Sequence, residues 1–120
     1  GLPLWGTCAG LILISNEVQE KSPNPLKLLN VSTSRNYYGR QIDSFIEYID
    51  FDNYSYEGVF IRAPAITKIG KNINVLARSK NNSPVAVREG PTLGTTFHPE
   101  LTDDLRIHSY FLNMNMEIKK

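Results

Sequence analysis

One cysteine is all that this 120-residue chain contains, which excludes an intrachain disulfide and favours a reducing, cytosolic address. Histidine is almost as scarce, with two, so no metal site can be assembled from any recognised ligand spacing. No sign of charge dominates: 13 Lys and Arg against 12 Asp and Glu leave a formal net charge of +1. The basic residues are scattered, and the longest run is the closing pair Lys119-Lys120. That distribution provides no footprint for nucleic acid or an anionic membrane. Long apolar runs are missing too. Leu11-Ile12-Leu13-Ile14 is the greasiest stretch, far short of the roughly 20 residues needed to cross a bilayer. What remains, 41% hydrophobic and 21% charged residues, is the balance of an ordinary globular domain, and the length suits one domain.

The chain opens Gly1-Leu2-Pro3-Leu4-Trp5, without a methionine, and runs directly into a strand pattern over residues 2–7. The expectation is a domain that lacks its beginning. Residues 9–18 predict a helix, and because residues 11–14 are apolar on every side it should be buried in an α/β layer. Residues 19–25, with Pro23 and Pro25, predict a loop. Residues 26–35 predict a strand whose alternation slips at Leu28-Leu29, as a bulge would cause. Residues 36–41 are polar and glycine-centred, 42–49 suggest an edge strand, and 50–57 suggest a loop holding Phe51, Tyr54 and Tyr56. Residues 59–62 read as a strand stopped by Pro64. Residues 75–79, 85–89 and 93–98 follow at short spacing, with Asn81-Asn82-Ser83-Pro84 and Gly90-Pro91 between them, as in an antiparallel meander. Thr102 is placed to cap a last helix with Asp103 and Asp104 in its first turn, and Ile107, Phe111 and Met114 should face the sheet. The fold class is therefore α/β, a layer with an antiparallel extension.

Chemistry concentrates at two places. Gly6-Thr7-Cys8-Ala9-Gly10 matches the glycine-x-nucleophile-x-glycine pattern of a strand-to-helix elbow. Such an elbow needs a strained backbone and small neighbours; it sets the sulfur at a helix N-terminus, where the dipole favours thiolate. It also points the backbone N–H of Ala9 at the place where an oxyanion would form. Alone, a single cysteine is more often a small buried hydrophobe. The second place is Phe97-His98-Pro99-Glu100, an imidazole and a carboxylate at a predicted strand end. On extended backbone, residues i and i+2 face one side, so Glu100 can orient the His98 ring while its other nitrogen serves Cys8. Alone, that pair reads as a histidine held by a neighbouring acid. His108, with no adjacent acid, reads as a packing or surface residue.

With those residues in view, Gly6-Thr7-Cys8-Ala9-Gly10-Leu11-Ile12 resembles the elbow of class I, or triad, glutamine amidotransferases, and Thr96-Phe97-His98-Pro99-Glu100 resembles their second signature. Two further segments, Arg35-Asn36-Tyr37-Tyr38-Gly39-Arg40-Gln41-Ile42-Asp43-Ser44-Phe45 and Phe60-Ile61-Arg62-Ala63-Pro64, resemble the vitamin B6 branch, the glutaminase partner of pyridoxal 5′-phosphate synthase. The resemblance spans essentially the whole chain. It implies a flavodoxin-like mixed sheet flanked by helices, with the N-terminal parallel strands missing and all 120 residues forming the C-terminal part of a single domain. It implies L-glutamine hydrolysis without a cofactor: Cys8 as nucleophile, His98 and Glu100 completing the triad, Ala9 N–H in the oxyanion hole, and Arg35, Ile61 and Arg62 against bound glutamine. Without the resemblance, both arginines read as ordinary strand-end residues. The implied partner is the synthase barrel (lyase) subunit in a hetero-oligomer. Tyr37 stands where the family often has a smaller residue. The family's domain starts upstream of Gly1 and carries there a Gly-Gly-Glu-Ser-like loop with a further oxyanion donor, a motif that this sequence does not contain. Three alternatives stand beside this reading: another class I glutaminase, a non-catalytic relative that binds the synthase, and an α/β-hydrolase-like esterase.

Overall fold

A computed structural model describes residues 2–20, 24–35 and 44–119, with side chains through residue 114. The first unit is strand β1 (Leu4–Thr7), helix α1 (Ala9–Ile14), and strands β2 (Ser15–Val18) and β3 (Leu29–Ser34). A hairpin of β4 (Ser44–Phe51) and β5 (Tyr54–Ile61) follows, then β6 (Ala65–Ile69), β7 (Asn74–Arg78), β8 (Pro84–Glu89) and β9 (Thr92–Thr95). A single 3₁₀ turn (Pro99–Leu101) leads to α2 (Arg106–Lys119). The fold is α/β with mixed sheets, as expected.

One sheet runs in the order β1-β9-β8-β7. The meander β7-β8-β9 is antiparallel, and β1 joins it parallel to β9, with Leu4 opposite Thr92 and Thr7 opposite Thr95. A second sheet has the order β2-β3-β6, in which β2 is parallel and β6 antiparallel to β3. Leu11 and Ile14 of α1 pack with Leu29, Val31, Ile66 and Val87 in one apolar cluster. Gly94 makes that closeness possible, since a Cβ there would lie 2.7 Å from Leu11 Cδ1 and 2.8 Å from Leu29 Cδ2. The larger cluster gathers Phe51, Tyr56 and Phe60 of the hairpin with Leu93, Phe97, Ile107 and Met114. Phe111 packs against it, so the apolar stripe of α2 meets the sheet as its spacing predicts.

Four expectations are corrected. The helix expected over 9–18 ends at Ile14, where Ser15 turns extended and its hydroxyl donates to Ile12 O at 2.7 Å. A serine that competes for backbone carbonyls ends a helix that apolar periodicity alone would continue. The irregularities lie opposite residues 15–17 and between Ser32 and Thr33, not at Leu28-Leu29. Residues 50–57 are no loop but the centre of the hairpin, whose turn is only Asp52-Asn53. Both turn residues have positive φ, 50° and 67°, and so match the right-handed strand twist. Phe51 and Tyr56 are fully buried, while Ile46 and Tyr48 on the opposite face are 63% exposed. Finally, Thr102 closes the 3₁₀ turn, and it is the Asp104 carboxylate that accepts the Arg106 N–H, at 3.1 Å, ahead of α2. Strand β6 had no counterpart in the sequence reading. The loop expected over 36–41 and the start of the strand expected over 42–49 lie outside the described residues.

Candidate active site

The elbow begins with β1. Cys8 follows its last residue with φ 50° and ψ −105°, a backbone state that costs a non-glycine residue about 1–3 kcal/mol and persists only where its surroundings impose it. They do. The Cys8 N–H donates to Thr95 O at 2.9 Å, and its carbonyl accepts the Ile12 N–H at 3.1 Å, which starts α1. Gly6 is required on packing grounds: a Cβ there would lie 2.8 Å from the Gly10 carbonyl carbon and oxygen and from Ile14 Cδ1. At Gly10 a Cβ would meet nothing within 4 Å, so the two glycines of the motif are not equivalent. Cys8, the N-cap of α1, makes no side-chain capping bond, and Ala9 with its N–H is the first helical residue.

Parallel pairing brings the second motif to the same place. Because Thr7 stands opposite Thr95, the chain leaving β1 at Cys8 meets the chain leaving β9 at Thr96. The Cys8 thiol donates to Thr96 O at 3.1 Å, and His98 is two residues further. The His98 N–H is anchored on Val59 O of β5 at 2.9 Å, while Phe97 packs edge-tilted on Tyr56 and Phe60. His98 Nδ1 and Glu100 Oε2 are 2.7 Å apart, which leaves Nε2 as the nitrogen for proton exchange. Glu100 reaches the ring from within the 3₁₀ turn rather than along an extended strand, since β9 ends at Thr95 and Pro99 starts the turn. His108 packs edge-on against Trp5, ring centroids 5.2 Å apart, and its Nδ1 is buried with no hydrogen-bond partner among the described residues.

Electrostatics differ from expectation at the sulfur. Burial pushes the Cys8 thiol up to about 12, and the Glu100 carboxylate adds to the rise. A helix of six residues offers only a weak N-terminal charge, and desolvation of a thiolate outweighs it. The resting sulfur is a protonated donor to Thr96 O, not a thiolate. Burial works against the Glu100 carboxylate, but the His98 hydrogen bond, its own backbone N–H and the charges of His98 and His108 hold its pKa below the ordinary carboxylate value. A consequence is measurable: alkylation of Cys8 by iodoacetamide, in protein without ligand, should rise about tenfold per pH unit from 7 to 10. A plateau near pH 8 would contradict the buried, protonated thiol.

The residues that the resemblance implies against glutamine lie at the ends of β3 and β5. Ile61 closes β5 at 39% exposure, two residues beyond the Val59 carbonyl that holds His98. Arg62 follows, exposed, with φ 44°. Arg35 follows β3, exposed, and its N–H donates to Glu20 Oε1 at 2.9 Å, while the Ser34 hydroxyl donates to Glu20 Oε2 at 2.7 Å. Ser34 pairs with Ala65, so the end of β3 and the approach to β6 after Arg62 lie side by side. Of the segment 35–45, positions 36–43, including Tyr37, lie outside the described residues. Glu20, Val59 and Thr95 escaped the sequence reading, because backbone carbonyls and long-range hydrogen bonds leave no local signature.

Comparison with known proteins gives the family. A model of the SNO glutamine amidotransferase family matches residues 1–117. Pyridoxal 5′-phosphate synthase subunit PdxT of Dictyoglomus turgidum is 54% identical over 116 residues, 93% of this chain and 60% of the relative. Its namesake in Thermotoga petrophila is 45% identical over 117 residues, 95% of this chain and 62% of the relative. A crystal structure of glutamine amidotransferase superposes with a TM-score of 0.89 at 43% identity, covering 96% of this chain and 61% of that one. The chain thus spans about 60% of the length of the curated relatives it matches. With a model match over nearly its whole length and an elbow paired to a His-Glu turn, this chain belongs to the SNO glutamine amidotransferase family.

Proposed function

We propose that this chain hydrolyses L-glutamine to L-glutamate and ammonia through a Cys8 thioester and delivers the ammonia to a pyridoxal 5′-phosphate synthase barrel subunit. The observation that carries this reading is the parallel register of β1 and β9, which sets the Cys8 elbow beside the turn of His98 and Glu100. Relatives named as subunits of that synthase support the choice of partner. A lone cysteine, buried and unpaired, suits a reducing, cytosolic address. Among the described residues, no helix is long and apolar enough to cross a membrane.

In this reaction the sulfur attacks the side-chain amide carbon of glutamine as His98 Nε2 takes the thiol proton. A thiol with a pKa of about 12 cannot wait as a thiolate, so deprotonation and attack must be coupled. Glu100 holds Nδ1 and stabilises the imidazolium that forms. The amide oxygen becomes an oxyanion facing the Ala9 N–H. The imidazolium returns its proton to the departing nitrogen, and ammonia leaves. Water, deprotonated by the same imidazole, then splits the thioester, which frees glutamate and restores the thiol. Arg35 and Arg62 grip the α-carboxylate, for which a guanidinium offers two parallel donors, and Ile61 contacts the bound glutamine beside Arg62.

Diazo-oxo-norleucine, a glutamine-like electrophile, tests the site directly. Rapid modification of Cys8 that glutamine suppresses is the expected result, with ammonia release when the synthase subunit is present. Inert Cys8 under both conditions would favour a non-catalytic module that only binds the synthase.

A further inference from the structure

Regular pairing in β9 ends at Thr95, and after the Thr96 N–H donates to Val85 O of β8 at 2.9 Å, Phe97 and His98 lie beyond the sheet ladder. Yet the peptide between Phe97 and His98 is held at both of its polar atoms. Its N–H donates to Val59 O at 2.9 Å, and its carbonyl accepts the Thr95 hydroxyl at 3.3 Å. A planar peptide pinned at oxygen and nitrogen can turn only about the axis joining its two hydrogen bonds, which narrows the positions open to the next Cα. The same Thr95 oxygen accepts the Trp5 indole N–H at 3.1 Å, and the Thr95 carbonyl accepts the Cys8 N–H at 2.9 Å. Thr95 is fully buried, and Trp5 is wedged against His108 and Phe111 of α2.

We infer that Thr95 is a positioning residue: its hydroxyl ties β1, three residues before the nucleophile, to the peptide that aims the His98 imidazole. This inference rests on the glutaminase reading above. A buried hydroxyl that both accepts and donates is satisfied only while these two segments keep one mutual placement. Loss of the hydroxyl lets the His98 peptide tilt, and small misplacements of a general base lower rate without weakening substrate binding.

The test is the kinetics of Cys8 modification by diazo-oxo-norleucine in the intact protein, with thermal melting measured in parallel. Thr95→Val keeps the branched shape but removes both hydrogen bonds, and Thr95→Ser keeps them. T95V should lower the maximal rate about tenfold and leave the half-saturating concentration within about twofold, while T95S stays within about twofold of wild type. A T95V rate equal to wild type, or T95S as slow as T95V, overturns the inference. Where T95V does not fold, Trp5→Phe decides: loss of the indole donor should slow the maximal rate several-fold, and an unchanged rate overturns the inference. Wild-type protein that resists modification sinks the glutaminase reading and this inference with it. Modified wild type with an indifferent T95V sinks the inference alone.

Discussion

Replacing His98 with asparagine is expected to lower glutamine hydrolysis, measured as glutamate release at saturating glutamine, by about three to four orders of magnitude. The size follows from the sulfur. With its pKa pushed up to about 12, Cys8 is almost wholly thiol at neutral pH, so its reactivity must come through a base. The asparagine amide retains a polar partner for Glu100 but cannot take the proton. His98 is partly exposed, at 24% of its side chain, so the melting temperature should change little and the loss should be specific to turnover. Glu100→Gln should be milder: glutamine still accepts from Nδ1 but stabilises no imidazolium, and a drop of about 10²-fold is expected. An H98N variant that keeps even a tenth of wild-type turnover would remove His98 from the reaction.

The second large effect concerns fold and function together. Gly6→Ala should destabilise the protein by about 3 kcal/mol in urea unfolding and abolish modification of Cys8. The added carbon would sit 2.8 Å from two backbone atoms of Gly10, and backbone cannot swing aside as a side-chain tip can. Either β1 or α1 must move, and Cys8 lies between them. Gly10→Ala is the internal control. Its Cβ meets nothing within 4 Å, and alanine is the better helix former by about 1 kcal/mol, so stability should hold or rise. Equal losses at the two glycines would mean that α1 does not pack on β1 as described.

Several parts of this arrangement were legible before any coordinates, because they are local. The elbow follows from five consecutive residues, the His98–Glu100 contact spans two positions, and the meander is punctuated by its turns. The hairpin is weakly written in the sequence: Asp52-Asn53 tolerates left-handed backbone, but acids and tyrosines around it disguise a period of two. The strand pairing that takes over at Ser15 and the placement of β6 depended on a partner distant in sequence, β3 in both cases.

From the sequence by itself came the α/β class, the identity of the one possible sulfur nucleophile, and the acid beside its candidate base. Only the tertiary structure decided that β1 lies parallel to β9, which brings Trp5 and Thr95 into hydrogen-bonding range and Cys8 to the carbonyl of Thr96. It alone decided, too, that Cys8 rests as a thiol. Protonation depends on burial and on the charge of Glu100, and neither desolvation nor long-range charge is written in the residues next to the sulfur.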